Sequence, residues 1–299
     1  MKTPIKIILL ILFSVGAVAG VLLFAKAMAA PPANIKTVDQ FSAAIKADVQ
    51  KLDSVAGFTQ SHDMYVVLDD KVKRFRTEDV IDNAAADECR KKIDTSYGEH
   101  LKDHGFSILN SSNWTGEQLG AVIGYADALS ADRLSDGKQA ISEELAASFA
   151  ELHTVQNNYN AALQASRNTG YVNIADAKAK IARANEFKDK QYLKNNSALI
   201  AALDAVPGKI SASHYNHVNA IVNSLGGYRS VSYDHYMDVL IPRANNAIKE
   251  YKNTGIYGGS KKNIAPVEAR ANSLVEAAMG YYELLLSAKH FREAARKKG

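Results

Sequence analysis

A cluster of tyrosine and histidine side chains between residues 213 and 238 is the densest set of groups that could bind a ligand. Aromatic rings that also form hydrogen bonds suit recognition of a sugar or a peptide. The pair Gly226-Gly227 offers a tight turn that could bring the two halves of the cluster together. Tyr215 also lies in line with Val218 and Val222, which indicates a packing role instead. The candidate binding residues are Tyr215, His217, Tyr233, His235 and Tyr236.

A second candidate is the stretch HLKDH, in which His100 and His104 stand four residues apart. Two histidines at this spacing share one face of a helix and can reach the same metal ion. The spacing resembles the inverted zincin motif H-x-x-E-H, but Asp103 stands where that motif has Glu. The shorter carboxylate would lie farther from a metal-bound water, and the sequence does not identify a third metal ligand. A metal-dependent hydrolase is therefore the least favoured alternative.

Other catalytic templates are missing from the sequence. It contains no G-x-S-x-G elbow, no phosphate-binding glycine loop, no C-x-x-C pair and no nucleotide fingerprint. The single cysteine, Cys89, has no partner for an intrachain disulfide. We therefore expect a non-enzymatic protein without a cofactor.

The net charge of +4 at first indicates an acidic partner such as nucleic acid. Three of the positive charges, Lys2, Lys6 and Lys26, flank the apolar N-terminal run, and without them the net charge is +1. The sequence therefore gives no indication of nucleic-acid binding.

The composition indicates an all-α fold, because no proline occurs between Ala33 and Val206 while helix-forming residues are plentiful. Two segments repeat apolar or small residues at alternating spacings of four and three, with Arg292 the one charged exception. This pattern predicts long helices packed lengthwise, as an elongated bundle of antiparallel hairpins. The repeating positions are Leu145, Ser148, Leu152, Val155, Tyr159 and Ala162, then Val267, Ala271, Leu274, Ala278, Tyr281, Leu285, Ala288 and Ala295.

Local signals predict where these helices begin and end. Thr115 and Gln118 form a capping box, and Thr77 followed by two acidic residues predicts a second helix start. Residues 105–114 are expected to form a loop. Three glycines spaced by four predict a close contact with another helix: Gly116, Gly120 and Gly124.

The tripeptide Asn-Thr-Gly occurs at 168–170 and again at 253–255, each time followed by an alanine-rich segment containing Arg-Ala-Asn. Each glycine is expected to end a helix in the left-handed conformation. The repeat is consistent with an internal duplication or with two independent uses of the same capping chemistry.

The N-terminus decides where the rest of the chain is expected to work. The uncharged run from Ile7 to Ala25 is long enough as a helix to cross a membrane, and Gly16 and Gly20 have the spacing of a helix–helix contact in the membrane. Residues 1–29 are interpreted as a signal anchor, with a signal peptide cleaved near Ala29 as the alternative. Residues 30–36 form a proline-containing spacer.

Lysines before the apolar run predict a cytoplasmic N-terminus and an extracytoplasmic body. That body is an all-helical domain over residues 37–299, with a sub-boundary near 207–208. The sequence thus predicts a single-pass cell-membrane protein, or a secreted or periplasmic one after cleavage. Its expected role is that of a cell-envelope interaction or scaffold protein whose helical bundle binds a protein partner or a second copy. The alternatives are a glycan- or peptide-binding module and the hydrolase considered above.

Overall fold

The computed structural model describes residues 38–54, 58–78, 81–135 and 141–298. Throughout these ranges the regular elements are helical and no strand occurs, which confirms the all-α prediction. The predicted N-terminal apolar run, with Gly16 and Gly20, and the spacer that follows it lie outside the described residues. Among the helices that are described, none combines the length and the apolar character needed to span a membrane.

The chain divides into two compact units, one up to Asn157 and one from Asn158. The predicted sub-boundary near 207–208 lies within the second unit. The helices of the first unit are α1 (Val38–Ser54), α2 (Phe58–Thr77), α3 (Asn83–Asn110), α4 (Gly116–Ser135) and most of α5 (Glu143–Arg167). Those of the second are α6 (Ile174–Lys188), α7 (Ser197–Asp204), α8 (Val206–Ser224), α9 (Ile241–Asn253) and α10 (Ala265–Lys298).

In the first unit α3 is the central helix and packs against α1, α2 and α4. Two glycines in α3 allow α5 to approach closely: a Cβ atom on Gly98 would lie 2.9 Å from Leu145 Cδ1, and one on Gly105 would lie 2.6 Å from Leu152 Cδ1. The glycine pair and the leucine pair have the same seven-residue spacing. Because Gly105 is needed for packing and not for a turn, α3 continues to Asn110, and the predicted loop from residue 105 is wrong for its first half.

One predicted helix start is also wrong. Thr77 is the last residue of α2, where its hydroxyl donates to the Lys73 carbonyl (2.9 Å). The next helix instead begins after Asp82, whose carboxylate accepts the backbone N–H of Ala85 (2.7 Å). A threonine hydroxyl that bonds back into the preceding turn cannot cap a following helix, so Asp82 takes that role.

The capping box at Thr115 is confirmed, because the Thr115 N–H donates to Gln118 Oε1 (2.8 Å) and the Gln118 N–H to Thr115 Oγ1 (3.3 Å). The predicted glycine contact on α4 is wrong for Gly124, where an added Cβ would meet open space. At Gly120 the nearest atom, Gln156 Nε2, would be 3.7 Å away, an ordinary contact.

In the second unit α8 packs against α6, α9 and α10. Before α9, residues Tyr233–His235 form one helical turn and Tyr236–Leu240 a π-helical turn. Pro242 follows directly, in the first turn of α9. A proline has no N–H to donate to the preceding turn, and the wider π turn accommodates it without breaking the helix.

Helices α5 and α9 end close to the two Asn-Thr-Gly sequences, as predicted, but the capping chemistry differs. Of the described glycines, only Gly258 has a positive φ (+51°), so the left-handed caps predicted at Gly170 and Gly255 are wrong. Lysine ammonium groups bind backbone carbonyls at both sites instead. Lys180 Nζ donates to the Gly170 carbonyl (2.7 Å), three residues past the end of α5. At the end of α9, Lys261 Nζ donates to the carbonyls of Lys252 (2.7 Å) and Thr254 (2.9 Å), where a cation is favourable because exposed carbonyls make a helix C-terminus negative.

Candidate functional site

The predicted Tyr/His cluster is divided between two aromatic groups in the second unit. Tyr215 and His217 lie at the edge of the first group, which surrounds the buried His214, and contact its members Tyr251 and Tyr171. Tyr233 and Tyr236 lie in the second group, against α10. His235 is exposed, and its backbone N–H donates to Ser232 Oγ (3.2 Å) at a helix start. The five candidates therefore do not line one common cavity.

The first group, here called the His214 network, is a set of hydrogen-bonded rings around a side chain that is 1% exposed. The Tyr171 ring stacks on His214 with centroids 3.7 Å apart, and the Tyr171 hydroxyl donates to Glu250. His214 Nδ1 lies 3.0 Å from the Tyr257 hydroxyl. On the other side of the imidazole, Nε2 lies 3.7 Å from Glu250 Oε1. The network consists of Tyr171, His214, Glu250, Tyr251 and Tyr257.

Burial controls the protonation of this network. Loss of solvent around His214 lowers its pKa to about 4, although the nearby Glu250 carboxylate acts in the opposite direction. Burial likewise raises the pKa of Tyr257 to about 12, and it raises the pKa of Tyr171 with help from the bond to Glu250. At neutral pH the His214 imidazole and the phenols of Tyr171 and Tyr257 are therefore neutral. It joins α8 and α9 to the segment after α9 and presents little open surface.

Tyr215 and His217 lie at the edge of this network. The Tyr215 ring is half-buried, edge-on to Tyr251 at 6.3 Å, with Lys262 Nζ 4.5 Å from its centroid. His217 is exposed and tilted against Tyr171 at 5.5 Å. These contacts are those of packing residues at the rim of a core.

The second group, here called the tyrosine group, attaches α10 to the segment before α9. Tyr282 is its central residue: its hydroxyl donates to the carbonyls of Tyr228 (2.8 Å) and Val231 (3.1 Å). The fully buried Tyr236 donates to the Leu274 carbonyl (3.3 Å). Tyr233 packs edge-on against Tyr282 at 5.3 Å and stays about half exposed. The group consists of Tyr228, Tyr233, Tyr236, Tyr281 and Tyr282.

Tyr282 is the last buried residue of α10, and every side chain from Glu283 to residue 297 is exposed. We call residues 283–297 the C-terminal helix end. Four of its side chains are large and apolar, with exposed fractions of 72% for Leu284, 48% for Leu285, 55% for Leu286 and 82% for Phe291. Such a concentration of exposed apolar side chains on one projecting segment is the most unusual surface in the described part of the chain.

The sequence explains why packing stops at this point. The buried face of α10 passes through Val267, Ala271, Ala278 and Tyr282, and at helical spacing the same face continues through Leu285 to Lys289, Arg292 and Arg296. Burying a charged side chain without a partner is costly, so the bundle cannot follow α10 past Leu285. Of the predicted repeat, Val267, Ala271 and Ala278 are buried and Leu274 and Tyr281 are half-buried. The prediction of a buried position is wrong for Leu285, Ala288 and Ala295, which are exposed.

The histidines of HLKDH lie on α3 and are half-buried. The ring of His104 stacks on Phe58, with centroids 4.6 Å apart and planes 2° from parallel. Burial in this stack lowers the pKa of His104. Across the described ranges, no group of three or more His, Cys, Asp and Glu side chains is placed to hold a metal ion.

Sequence reasoning missed the residues that complete both aromatic groups. Tyr171, Tyr251 and Tyr257 lie 37 to 43 residues away from His214 in the sequence. Tyr282 is one position from the residue that the repeat predicted as buried. It also missed His62, whose Nδ1 lies 2.7 Å from the Tyr97 hydroxyl, and the buried pair Lys71–Asp48 (2.7 Å). The high tyrosine count, 14 in the chain, was the available signal.

Comparisons of the chain with family models, with curated proteins and with solved structures gave no significant match. The roles of the C-terminal helix end and of the two aromatic groups therefore follow from their own contacts, exposure and charge.

Proposed function

We propose that this protein is a non-enzymatic, membrane-anchored interaction or scaffold protein of a cell envelope. In this proposal residues 1–29 hold the chain in the membrane or export it, and the helices after residue 37 form an exported bundle of antiparallel hairpins. The observation that carries the proposal is the C-terminal helix end, where Leu284, Leu285, Leu286 and Phe291 are exposed to solvent. Its function is to bind a protein partner.

The energetics support a binding role for this segment. Full burial of a leucine or phenylalanine side chain is worth about 1.5 to 3 kcal/mol, so a partner covering only two of the four would gain several kcal/mol. Among the described residues no part of the bundle covers these side chains, because the buried face of α10 ends at Tyr282. Large apolar side chains grouped at the centre of an interface are also the residues that dominate binding energy.

The glycan- or peptide-binding alternative has less support. Of its candidate residues, Tyr236 is completely buried and Tyr215 is half-buried against Tyr251 and Lys262. The exposed members, His217, Tyr233 and His235, are divided between the two aromatic groups. A sugar platform needs an accessible ring face, and Tyr233 is the one tyrosine of this set with substantial exposure.

Site-specific photo-crosslinking in the native membrane tests the proposed function. A photoreactive phenylalanine analogue is placed at Leu284, at Phe291 or, as a matched control, at Val172, an apolar residue of the same unit that is 67% exposed. We expect an adduct with one partner protein from positions 284 and 291 and none from 172. Monomer alone from all three positions, or the same adducts from 172, would refute the proposal.

The membrane part of the proposal has its own test. N-terminal sequencing of the mature protein distinguishes an anchor from a cleaved signal peptide. Met1 or a residue before the apolar run as the first residue supports the anchored form, whereas Ala30 as the first residue replaces it with a soluble exported protein.

A further inference from the structure

We infer that the C-terminal helix end binds an acidic helical segment of its partner protein, an inference that rests on the proposed function. The helix end carries two features side by side: an apolar seam and a line of cations. The seam consists of Leu284, Ala288, Phe291 and Ala295, and the cationic line consists of Lys289, Arg292 and Arg296.

The seam has the spacing that another helix recognises. Its members follow one another at intervals of four, three and four residues, the alternation found along a helix that packs lengthwise against another. Two large side chains alternate with two alanines, so that Leu284 and Phe291 project while Ala288 and Ala295 leave room for a partner's side chains. This alternation suits interdigitation of two helices.

The cationic line determines the charge of the occupant. At about 100° per residue, Arg292 lies directly beside the seam, and Arg296 and Lys289 lie about 40° and about 60° further round the same side of the helix. Positions beside a helix seam usually carry the ion pairs that choose the partner. Over residues 283–297 there are four lysine and arginine residues, and Glu283 and Glu293 are the acidic residues. Carboxylates of the partner are therefore needed opposite the cationic line.

A second copy of this chain does not supply those carboxylates. Glu293 lies on the side of the helix opposite to the seam, and Glu283 lies at the base of the segment, a full turn or more from the cations. In an antiparallel pair along the seam the two cationic lines would face each other, which is unfavourable. In a parallel pair each cationic line would face Ser287 and Ala294 of the other copy, which carry no carboxylate.

A flat membrane surface also fits poorly. Leu284, Leu285 and Leu286 are consecutive, so that Leu286 points about 200° away from Leu284 around the helix. A helix lying on a bilayer buries one face only. A bilayer therefore cannot cover all of the apolar side chains at once, and half of the seam is alanine, which gains little from lipid.

The binding test uses the full-length protein in detergent and two labelled synthetic helices of three heptads. Both helices have leucine at their seam positions, and the flanking positions carry glutamate in one and lysine in the other. Fluorescence anisotropy should show at least tenfold tighter binding of the glutamate helix. The double variant R292E/R296E should reverse this preference, whereas K178E/K190E, the same charge change on exposed lysines of the same unit, should leave it unchanged. Equal affinity for the two helices, or no effect of R292E/R296E, overturns the inference.

Two further experiments test the alternative partners of the seam, a second copy of the chain and a lipid surface. Sedimentation of the full-length protein at increasing concentration should not show a dimer that depends on Phe291. An environment-sensitive dye on F291C, in protein reconstituted into phosphatidylcholine vesicles with or without phosphatidylglycerol, should not shift with the anionic lipid. Cys89 interferes little with this labelling, because it is buried and burial raises the pKa of its thiol. A seam-dependent dimer or a lipid-dependent shift overturns the inference.

Photo-crosslinking separates this inference from the proposed function. If the native adduct from position 291 is lost in R292E/R296E but kept in K178E/K190E, both are supported. If the adduct forms equally well in both variants, the protein is still an interaction protein but its partner is not acidic. If no position-specific adduct forms in the wild-type background, the proposed function itself fails.

Discussion

Gly105 lies directly against Leu152, so close that a Cβ atom on the glycine would be 2.6 Å from Leu152 Cδ1. Leu152 is completely buried and cannot rotate away freely. Two turns earlier in α3, Gly98 makes the same kind of contact with Leu145. Two glycines in the middle of a long helix are unfavourable by themselves, and their contacts with α5 explain why α3 tolerates them.

The first prediction is that Gly105→Ala destabilises the protein. The added methyl must displace Leu152 in a packed core, and overpacking of this kind costs about 1 to 3 kcal/mol. Gly124→Ala is the matched control, because an added Cβ there meets open space and removes flexibility from the unfolded chain, a gain of about 0.4 to 1 kcal/mol. Urea denaturation measures both. Equal changes in the unfolding free energy for the two substitutions would contradict the close contact between Gly105 and Leu152.

The second prediction concerns stability in acid. His214 has a pKa of about 4 in the folded protein, below the 6.5 of an unperturbed histidine. Below pH 6.5 the unfolded chain therefore binds a proton that the folded chain does not, and stability decreases as the pH falls from 6.5 towards 4. The full loss amounts to about 3 kcal/mol. Unfolding free energies at pH 7.5, 6.0 and 4.5 should decrease in the wild type.

A neutral side chain at this position removes that contribution. His214→Gln should be less stable at pH 7.5, because the contact with Tyr257 is changed, but its stability should depend less on pH between 6.5 and 4.5. His217→Gln is the control, since His217 is exposed. An unchanged pH slope in His214→Gln would show that His214 is not the group responsible.

The third prediction tests the role of Glu250. Its carboxylate lies 3.7 Å from His214 Nε2 and raises the pKa of His214 against the larger effect of burial. Glu250→Gln removes the negative charge, so the pKa of His214 should fall further below its ordinary value. Titration of the His214 ring protons by NMR measures this directly. A higher pKa in the variant would mean that Glu250 does not interact with the imidazole as described.

The fourth prediction concerns the point where α10 is attached. Tyr282→Phe removes the hydroxyl that donates to the carbonyls of Tyr228 and Val231. Loss of a buried donor of this kind costs about 1 to 3 kcal/mol, and hydrogen exchange in residues 265–282 should become faster. Tyr281→Phe, one position away, keeps its ring contact with Tyr228 and should change exchange less. Identical exchange in the two variants would contradict the anchoring role of Tyr282.

The fold could be predicted from the sequence where the signal is local. Composition and spacing predicted helices throughout, and the capping box at Thr115 depends on two side chains three residues apart. The errors arose where tertiary contacts decide. Nothing in the residues next to Gly105 shows that Leu152 packs against it, so the local sequence predicts that the helix ends at this glycine.

The candidate sites show the same limit. Tyr171 and Tyr257 are distant from His214 in the sequence but contact it in the fold. Because of these contacts, rings that could have bound a ligand form a packed network. In α10 the predicted repeat differs from the buried face by one residue at three positions, Tyr281, Ala288 and Ala295, where that face has Tyr282, Lys289 and Arg296. Leu285 and Arg292 belong to both series. The bundle cannot bury a face that carries these three cations.

The last prediction separates binding from folding at the C-terminal helix end. Leu284 and Phe291 are 72% and 82% exposed, so the double variant L284Q/F291Q removes little packing. Its unfolding free energy should stay within about 0.5 kcal/mol of the wild type. Val267→Gln, on the same helix but 2% exposed, should lose considerably more stability because it buries a polar amide in the core.

The same double variant tests binding. With the photoreactive residue at position 288, the adduct expected in the wild type should be absent from L284Q/F291Q although the protein is folded. A large loss of stability in L284Q/F291Q would instead mean that these side chains pack within the molecule and are not held available for a partner.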